Sequence, residues 1–150
     1  MTGSCEYCQI TGGYGELMDE TAHWLIYLAP SQRYLGTCVV ALKRKSKNLR
    51  ELDDAEWLDF ADIVRRLETS VDEAFKPTLF NWSCFKNKEY RNGDPNPEIH
   101  WHLLPRYQDE VEFAGEKFKD QDFGYLPQPI THELSAEMMD KIKSAIKKYL

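Results

Sequence analysis

Hydrophobic residues form one long periodic stripe in the middle of the chain and shorter runs on either side of it. The stripe runs from Asp53 to Phe75, where apolar side chains recur at spacings of three and four, and it predicts an amphipathic helix. Asp53 followed by Glu56 resembles a capping box, and Pro77 is expected to end this helix. A final helix is predicted from Ser135 to Leu150, with an apolar face made by Met138, Ile142, Ala145 and Tyr149.

The shorter runs are rich in β-branched and aromatic residues and predict five strands. The strands are Gly15 to Thr21, His23 to Leu28, Thr37 to Leu42, Thr78 to Phe85 and Ile99 to Leu104. A polar loop is expected from Lys86 to Pro97, while the stretch from Tyr107 to Pro129 has no assignable pattern. Strands and helices do not strictly alternate, which predicts an α+β fold: an antiparallel sheet of about five strands with one long helix and a C-terminal helix. The 150 residues are expected to form one domain, 1–150.

Charge and composition exclude several classes of partner. The chain has 19 Lys and Arg against 25 Asp and Glu, a net charge of −6, which argues against a nucleic-acid polymer and an anionic membrane surface. No apolar run approaches the ~20 residues of a membrane span, and the first residues contain no secretion signal. Four cysteines without an export signal are typical of a reducing compartment, so we expect a cytoplasmic protein.

The segment from Asn96 to Tyr107 carries the candidate chemistry. Alternate side chains of a strand share a face, so His100 and His102 are expected on one face, with Glu98, Leu104 and Arg106. The two imidazoles would be about 6.6 Å apart along the strand. Core residues are expected on the opposite face (Ile99, Trp101 and Leu103) and at Trp24, Trp57 and Trp82.

Two imidazoles on one strand face admit three interpretations: metal ligands, a nucleophile with an acid–base partner, or polar side chains on a half-exposed sheet. The metal interpretation needs further ligands, and the other histidines, His23 and His132, lack ligand-like spacing. The nucleophile interpretation follows from the reference pKa of histidine, near 6.5, which leaves much of the imidazole unprotonated at neutral pH. Attack on phosphorus would give a covalent intermediate that water later hydrolyses.

The sequence Glu98-Ile-His100-Trp-His102-Leu-Leu-Pro-Arg106 resembles the signature of the histidine triad (HIT) family, His-φ-His-φ-His-φ-φ with φ apolar, often followed by Pro-Arg. The second and third triad positions are kept, and Glu98 replaces the first. Cys5-x-x-Cys8 resembles the N-terminal cysteine pair of many members. Asn87 and Gly93 precede His100 by thirteen and seven residues, where the family has its phosphate-site asparagine and phosphate-loop glycine.

The resemblance implies a nucleotide-binding fold that usually forms a homodimer, with the two sheets joined edge to edge. It implies hydrolysis or transfer at a nucleoside α-phosphate through a nucleotidyl-histidine intermediate. His100 matches the nucleophile, and His102 matches the triad member that contacts the phosphate or leaving group. Asn87, Gly93 and Arg106 are the expected substrate-binding residues. Dinucleoside polyphosphates are the first expected substrates, and the His100 ring is expected to stand exposed to the incoming phosphate.

The chain departs from the family pattern at the metal and ribose positions. Glu98 and Lys45 stand where many members have the two histidines of a zinc site, so we expect a Lys45–Glu98 ion pair in place of the metal. Zinc at Cys5 and Cys8 is not expected, and no cofactor is required, although a divalent cation accompanying the nucleotide is compatible with the sequence. Ala29 replaces the ribose-binding acid, with Ser31 or Gln32 as the expected substitute, and Asp94-Pro95 replaces a Gln-Ser pair after the phosphate-loop glycine.

Two other functions stay open at this point. One is a nucleotide-sensing or interaction module that keeps the fold without turnover, which the altered ribose and phosphate-loop positions favour. The other is a metal-dependent hydrolase that uses His100 and His102 as ligands.

Overall fold

A computed structural model describes residues 13–91, 93 and 97–150 and gives an α+β fold. One antiparallel sheet contains the strands β1 (Glu16–Glu20), β2 (Trp24–Leu28), β3 (Cys38–Leu42), β4 (Leu79–Ser83) and β5 (His100–Arg106). Their order across the sheet is β1-β2-β3-β5-β4. The helices are α1 (Asp54–Phe75), α2 (Asn87–Arg91) and α3 (Ala136–Lys147), and β6 (Val111–Phe113) pairs with β7 (Glu116–Phe118) in a separate hairpin. The predicted fold class and five-stranded sheet are confirmed.

Helix α1 begins and ends where its sequence signals predict. The Asp53 side chain accepts a hydrogen bond from the Glu56 backbone N–H at 2.8 Å, and Glu56 Oε1 accepts one from the Asp53 N–H at 2.9 Å. This capping box satisfies donors that the first helical turn leaves open. Lys76, at φ 54°, takes the left-handed conformation that ends the helix before Pro77.

The main core lies between one face of the sheet and the helices α1 and α3. Period-two alternation places Val40 and Leu103 on this face, against Ile63 and Leu67 of α1. Ser70 of α1 donates a hydrogen bond to the Ile146 carbonyl, which joins the two helices.

The opposite face of the sheet has a smaller apolar cluster. Tyr27 and Ala29 from the second strand region and Val39 and Ala41 from β3 pack together there beneath Tyr14. These positions alternate with the main-core residues of the same strands, so the sheet has two distinct faces. The candidate histidines belong to the face with the smaller cluster.

Several expectations about local structure are wrong in detail. Trp57 is 37% exposed instead of buried, because the face of α1 that packs on the main core contains Phe60 and Ile63. Helix α3 buries Ile146, whereas Tyr149 lies beyond the helix end and is exposed. The predicted polar loop contains the short helix α2, and the unassigned stretch contains the β6–β7 hairpin.

Strand β5 extends two residues beyond its predicted end, through Pro105 to Arg106. Pro105 is tolerated because β3 pairs only with His100 to Leu103, so the proline faces a single neighbouring strand, β4. The extension places Arg106 on the same ribbon as the two histidines. None of the helices in the described part of the chain is long and apolar enough to cross a bilayer.

Candidate active site

Both imidazoles lie on the same face of β5, as the alternation predicts. His100 is opposite Ala41 of β3, and His102 lies between Val39 of β3 and Ser83 of β4. The ring centroids are 4.9 Å apart, with an interplanar angle of 76°. The two rings are therefore in contact with each other.

The backbone fixes the tautomer of His100. Its Nδ1 lies 2.9 Å from the carbonyl oxygen of Glu98. A carbonyl oxygen only accepts hydrogen bonds, so Nδ1 holds the proton and Nε2 holds a lone pair. Nε2 is buried and has no hydrogen-bond partner among the residues described. Burial lowers the pKa of His100, while the bond to the Glu98 carbonyl opposes this shift. The ring is therefore neutral at neutral pH, with its nucleophilic nitrogen unengaged.

His102 is held neutral by the same physical cause. Burial, followed by the proximity of His100, lowers the pKa of His102 to about 3, against an opposing contribution from a hydrogen bond with the Ser83 backbone. A ring with this pKa carries one N–H at neutral pH and lacks the second proton that would make it an imidazolium. It can orient a substrate by hydrogen bonding, but it does not supply the charge of an imidazolium.

The expectation of an exposed nucleophile is wrong for this conformation. His100 and His102 are 1% and 0% exposed. The Tyr14 ring lies against His100, with centroids 4.8 Å apart and an interplanar angle of 32°, and also packs on Tyr27 at 5.7 Å. Strand alternation predicts which way a side chain points but contains no information on what a distant segment lays over it.

The turn before β1 brings Tyr14 to this position. Gly15 has φ +111°, and a Cβ there would overlap the Leu28 carbonyl oxygen. Only glycine fits this close approach between the chain and the end of β2. Tyr14, which covers His100, is thus placed by a backbone constraint outside β5.

Glu98 does not form the expected ion pair. Lys45 is exposed and shares no salt bridge with Glu98, both being described residues. The Glu98 carboxylate acts instead on Tyr14, whose pKa is raised by burial and then by the charge of Glu98. Tyr14 therefore stays a neutral phenol beside His100.

Arg106 is buried and holds Asp120, Asn81 and Tyr125 together in a cluster that we call the Arg106 clasp. Its Nε lies 2.7 Å from Asp120 Oδ2 and its Nη2 3.1 Å from Asp120 Oδ1. Its Nη1 donates to Asn81 Oδ1 at 2.9 Å and to the Tyr125 carbonyl at 2.8 Å. The guanidinium is 4.9 Å from the centroid of the Tyr34 ring. These contacts hold the segment after β7 against the histidine face, and they occupy most of the five N–H donors that a substrate would need.

Asn87 and Gly93 lie in the connection between β4 and β5. Asn87 is the first residue of α2 and is exposed, and Gly93, at φ +80°, donates its N–H to the Tyr90 carbonyl at 3.1 Å. No hydrogen bond joins either residue to His100 or His102 in the structure described. Their predicted contact with phosphate stays a prediction.

Neither expected substitute for the ribose acid is available. Gln32 donates to the Ala29 and Thr37 carbonyls and accepts from the Gly36 N–H, all within 3.0 Å. Ser31 donates to the Ile130 carbonyl and accepts from the His132 N–H. Both side chains are committed to the protein, so the expectation that they bind ribose is wrong for this conformation.

The described residues hold no group of three or more His, Cys, Asp or Glu side chains that could bind a metal ion. Cys5 and Cys8 lie outside the described residues, so the predicted absence of zinc stays untested. Glu98 and Lys45, which the resemblance places at the other two positions of the expected zinc site, belong to no such group.

A cavity of about 610 Å³ opens along β4, the edge strand beside β5. Ser83 and Leu104, which line it, are the register partner of His102 and the next residue on the same face of β5. Its remaining wall comes from β4 and from the segment held by the clasp (Leu79, Phe80, Asn81, Trp82, Phe85, Arg106, Gly124, Tyr125, Leu126 and Pro127). The position of Asn81 within a strand gave no basis for assigning it to a site.

No protein-family model and no curated protein sequence matches this chain. Solved structures do. A hypothetical histidine triad nucleotide-binding protein from Sulfolobus tokodaii has a TM-score of 0.68 at 18% identity, covering 97% of this chain and 91% of that one. A histidine triad protein from Bradyrhizobium japonicum has a TM-score of 0.64 at 14% identity, covering 91% and 90%.

This chain has the histidine triad fold. A diadenosine triphosphate hydrolase from Plasmodium falciparum shares the fold as well, with a TM-score of 0.60 at 19% identity and coverage of 89% of this chain and 75% of that one. These likenesses establish the architecture. The two imidazoles lie on β5, the strand whose sequence resembles the histidine triad signature.

Proposed function

We propose that the protein is a divergent histidine triad hydrolase or nucleotidyl transferase that acts at the α-phosphate of a nucleoside phosphoanhydride or phosphoramidate. The observation that carries the proposal is the hydrogen bond from His100 Nδ1 to the Glu98 carbonyl. It leaves the Nε2 lone pair as the only nucleophilic nitrogen of that ring. The fold shared with a diadenosine triphosphate hydrolase supports dinucleoside polyphosphates as the first substrates to test.

The chemistry proceeds in two displacements. Nε2 forms a bond to the α-phosphorus while the bond from phosphorus to the leaving oxygen or nitrogen breaks, and the leaving group departs with that electron pair. Water then attacks the phosphorus of the nucleotidyl-histidine, and the N–P electron pair returns to Nε2. One water proton goes to solvent, and an acceptor hydroxyl or amine in place of water gives transfer.

His102 assists by hydrogen bonding rather than as a charged acid. Burial keeps its ring neutral, so it is suited to hold the phosphate or the leaving group in line with Nε2. Asn87 and Gly93 are proposed to contact the substrate phosphates. Arg106 is proposed to act mainly by holding the segment after β7 in place through the clasp. Turnover on this scheme requires Tyr14 to move away from His100.

Trapping of the intermediate tests this function. Rapid acid-free quench with nucleotide labelled at the α-phosphate should place the label on His100, as identified by peptide mass spectrometry. His100→Ala should abolish labelling and turnover, whereas His132→Ala, which removes an exposed imidazole elsewhere, should leave both unchanged. Undiminished hydrolysis of every cleaved nucleotide by His100→Ala would refute the proposal.

The alternative is a nucleotide-sensing or interaction module, and the burial of His100 under Tyr14 favours it. That function predicts nucleotide binding in calorimetry with no product after prolonged incubation. A metal-dependent hydrolase would instead lose all activity to chelators.

Homodimerisation is proposed through the free edge of β4. The sheet has two edges, and β1 has a register shift between Leu17 and Asp19 and ion pairs from Glu20 and Asp19, features that protect an edge from pairing. Strand β4 has neither a register shift nor such ion pairs. Sedimentation velocity should therefore show a dimer that proline substitution at Phe80 dissociates. A location in the cytoplasm stays a prediction.

A further inference from the structure

Two touching rings beneath the sheet surface each carry a polar atom with no hydrogen-bond partner at normal distance among the described residues. The atoms are Nε2 of His100 and the hydroxyl oxygen of Tyr14, and each residue is 1% exposed. The ring centroids are 4.8 Å apart. Burial of a polar atom without a partner costs free energy, so two such atoms on adjacent side chains are expected where a ligand bonds to both.

The two atoms have opposite hydrogen-bonding character. The proton on His100 Nδ1 leaves Nε2 with a lone pair only. A tyrosine hydroxyl keeps its proton at neutral pH, because its reference pKa is about 10. Burial, followed by the charges of Glu98 and Glu89, raises the pKa of Tyr14 further. A phosphoryl group fits this pair, since its phosphorus accepts the lone pair and its oxygens accept hydrogen bonds.

Opening of the site keeps Tyr14 close to His100. Gly15 lies so near the Leu28 carbonyl oxygen that a Cβ would overlap it, and this contact holds the backbone beside Tyr14 at the end of β2. The ring therefore leaves Nε2 by rotation about its own side-chain bonds, not by departure of the whole segment. Rotation about an anchored backbone keeps the hydroxyl within one side chain's length of the histidine.

A phosphoryl group bound at Nε2 needs a hydrogen-bond donor, because the nearby imidazoles are uncharged. Burial lowers the pKa of both His100 and His102, so neither ring is an imidazolium at neutral pH. The Arg106 guanidinium is already engaged by Asp120 and Asn81. Displacement at phosphorus spreads negative charge over the nonbridging oxygens, and a donor in a buried site stabilises that charge.

We propose that Tyr14 is a catalytic residue: with its ring turned off Nε2, its hydroxyl donates a hydrogen bond to a nonbridging oxygen of the phosphorus bonded by His100. The inference rests on the proposed function and adds the group that stabilises charge on the phosphoryl oxygens. The proton stays on the tyrosine oxygen throughout, so no covalent bond to that oxygen forms or breaks. One side chain then covers the nucleophile in the closed conformation and contacts the substrate in the open one.

Tyr14→Phe removes the donor and keeps the ring. We expect kcat/KM for adenosine phosphoramidate to fall by about 10- to 100-fold, the scale of one lost hydrogen bond to a charged group. Tyr149→Phe removes a hydroxyl from an exposed ring beyond the end of α3 and should leave this rate unchanged. An unchanged rate in Tyr14→Phe would overturn the inference.

Sulfur substitution distinguishes the hydrogen bond from a structural role of Tyr14. The two diastereomers of adenosine phosphoramidothioate each have sulfur, a weaker hydrogen-bond acceptor, in place of one nonbridging oxygen. The parent protein should cleave the diastereomer with sulfur opposite Tyr14 more slowly. Tyr14→Phe should change the ratio of the two rates by about tenfold or more, because only one diastereomer uses the hydroxyl. An equal loss on both would show a structural role and overturn the inference.

A binding measurement decides the inference if the parent protein cleaves nothing. In calorimetry, AMP should bind Tyr14→Phe more weakly than the parent by about threefold or more, whereas adenosine, which has no phosphate, should bind both equally. That result without labelling of His100 would refute the proposed chemistry and still support the hydrogen bond from Tyr14. Unchanged AMP affinity in a protein without turnover, equal weakening of adenosine, or no binding of AMP by the parent would overturn the inference.

Discussion

Tyr14 packs on His100, so its replacement by alanine should expose the Nε2 atom of His100. The Tyr14 ring is 1% exposed, lies 4.8 Å from the His100 ring, and leaves Nε2 with virtually no accessible surface. We therefore expect a reagent or a substrate phosphorus to reach Nε2 when this ring moves aside. In Tyr14→Ala the covering ring is absent.

The size of the effect follows from the surface that opening exposes. Full burial of a large apolar side chain stabilises a protein by about 1.5–3 kcal/mol, which is the cost of displacing the Tyr14 ring into water. Since 1.4 kcal/mol corresponds to a factor of ten, the open state is populated about 10- to 150-fold less than the closed one. Removal of the ring should raise the rate of a reaction at Nε2 by the same factor.

Carbethoxylation by diethyl pyrocarbonate, followed at neutral pH by mass spectrometry of the peptide containing His100, measures this rate without requiring turnover. Tyr14→Phe keeps the ring and removes only the hydroxyl, so it should react like the parent protein. His100→Ala assigns the modified site. Equal rates in Tyr14→Ala and the parent would show that the barrier lies elsewhere, as would a Tyr14→Phe variant as reactive as Tyr14→Ala.

Three further predictions concern the frame of the site. Asp120→Asn should lower the free energy of unfolding by about 3–5 kcal/mol in urea titrations, because it leaves the Arg106 guanidinium buried without its carboxylate; an unchanged midpoint would contradict this. Gly15→Ala should lower the melting temperature more than Gly124→Ala, since both have positive φ but only the first places Cβ against a backbone oxygen; equal shifts would count against it. The pKa of His102, lowered to about 3, means that the unfolded chain binds the extra proton, so stability should fall as pH drops from about 6.5 toward 3, and the ring NMR signals should not titrate near pH 6.5.

Much of the fold was predictable because local signals agree with the tertiary structure. The capping box of Asp53 and Glu56, the stripe through Phe60 and Leu67, and Pro77 all act within a few residues, and the structure uses each of them. Alternation along β5 likewise assigned the correct face to His100 and His102.

The elements that sequence analysis missed lack such signals. Strands β6 and β7 have three residues each and are joined by Ala114 at φ 51° and Gly115 at φ 85°. A two-residue turn with both angles positive is normally marked by Asn-Gly or Asp-Gly, and alanine in the first position conceals it. The exposure of Trp57 was missed for another reason, because a helix stripe wide enough to include it does not reveal which edge of the stripe faces the core.

At the site, the contacts between residues far apart in the sequence could not be predicted. Asp120 and Tyr125 meet Arg106 only because the chain returns over the sheet after β7, and Tyr14 meets His100 across most of the sequence. The pattern around Arg106 is compatible with a surface guanidinium as well as with a buried clasp. Burial distinguishes these cases, and burial is a property of the assembled fold.

Glu98, which the sequence resemblance places at the first triad position, acts on the His100 ring through its backbone. His100 is oriented by the backbone carbonyl of residue 98, not by its side chain, so any residue that keeps this strand geometry preserves the Nε2 lone pair. The side chain at this position is free to take another role, and here its charge favours the neutral form of Tyr14, which packs on His100. On the proposed function, the glutamate side chain at this position therefore bears on access to His100 rather than on the Nε2 lone pair.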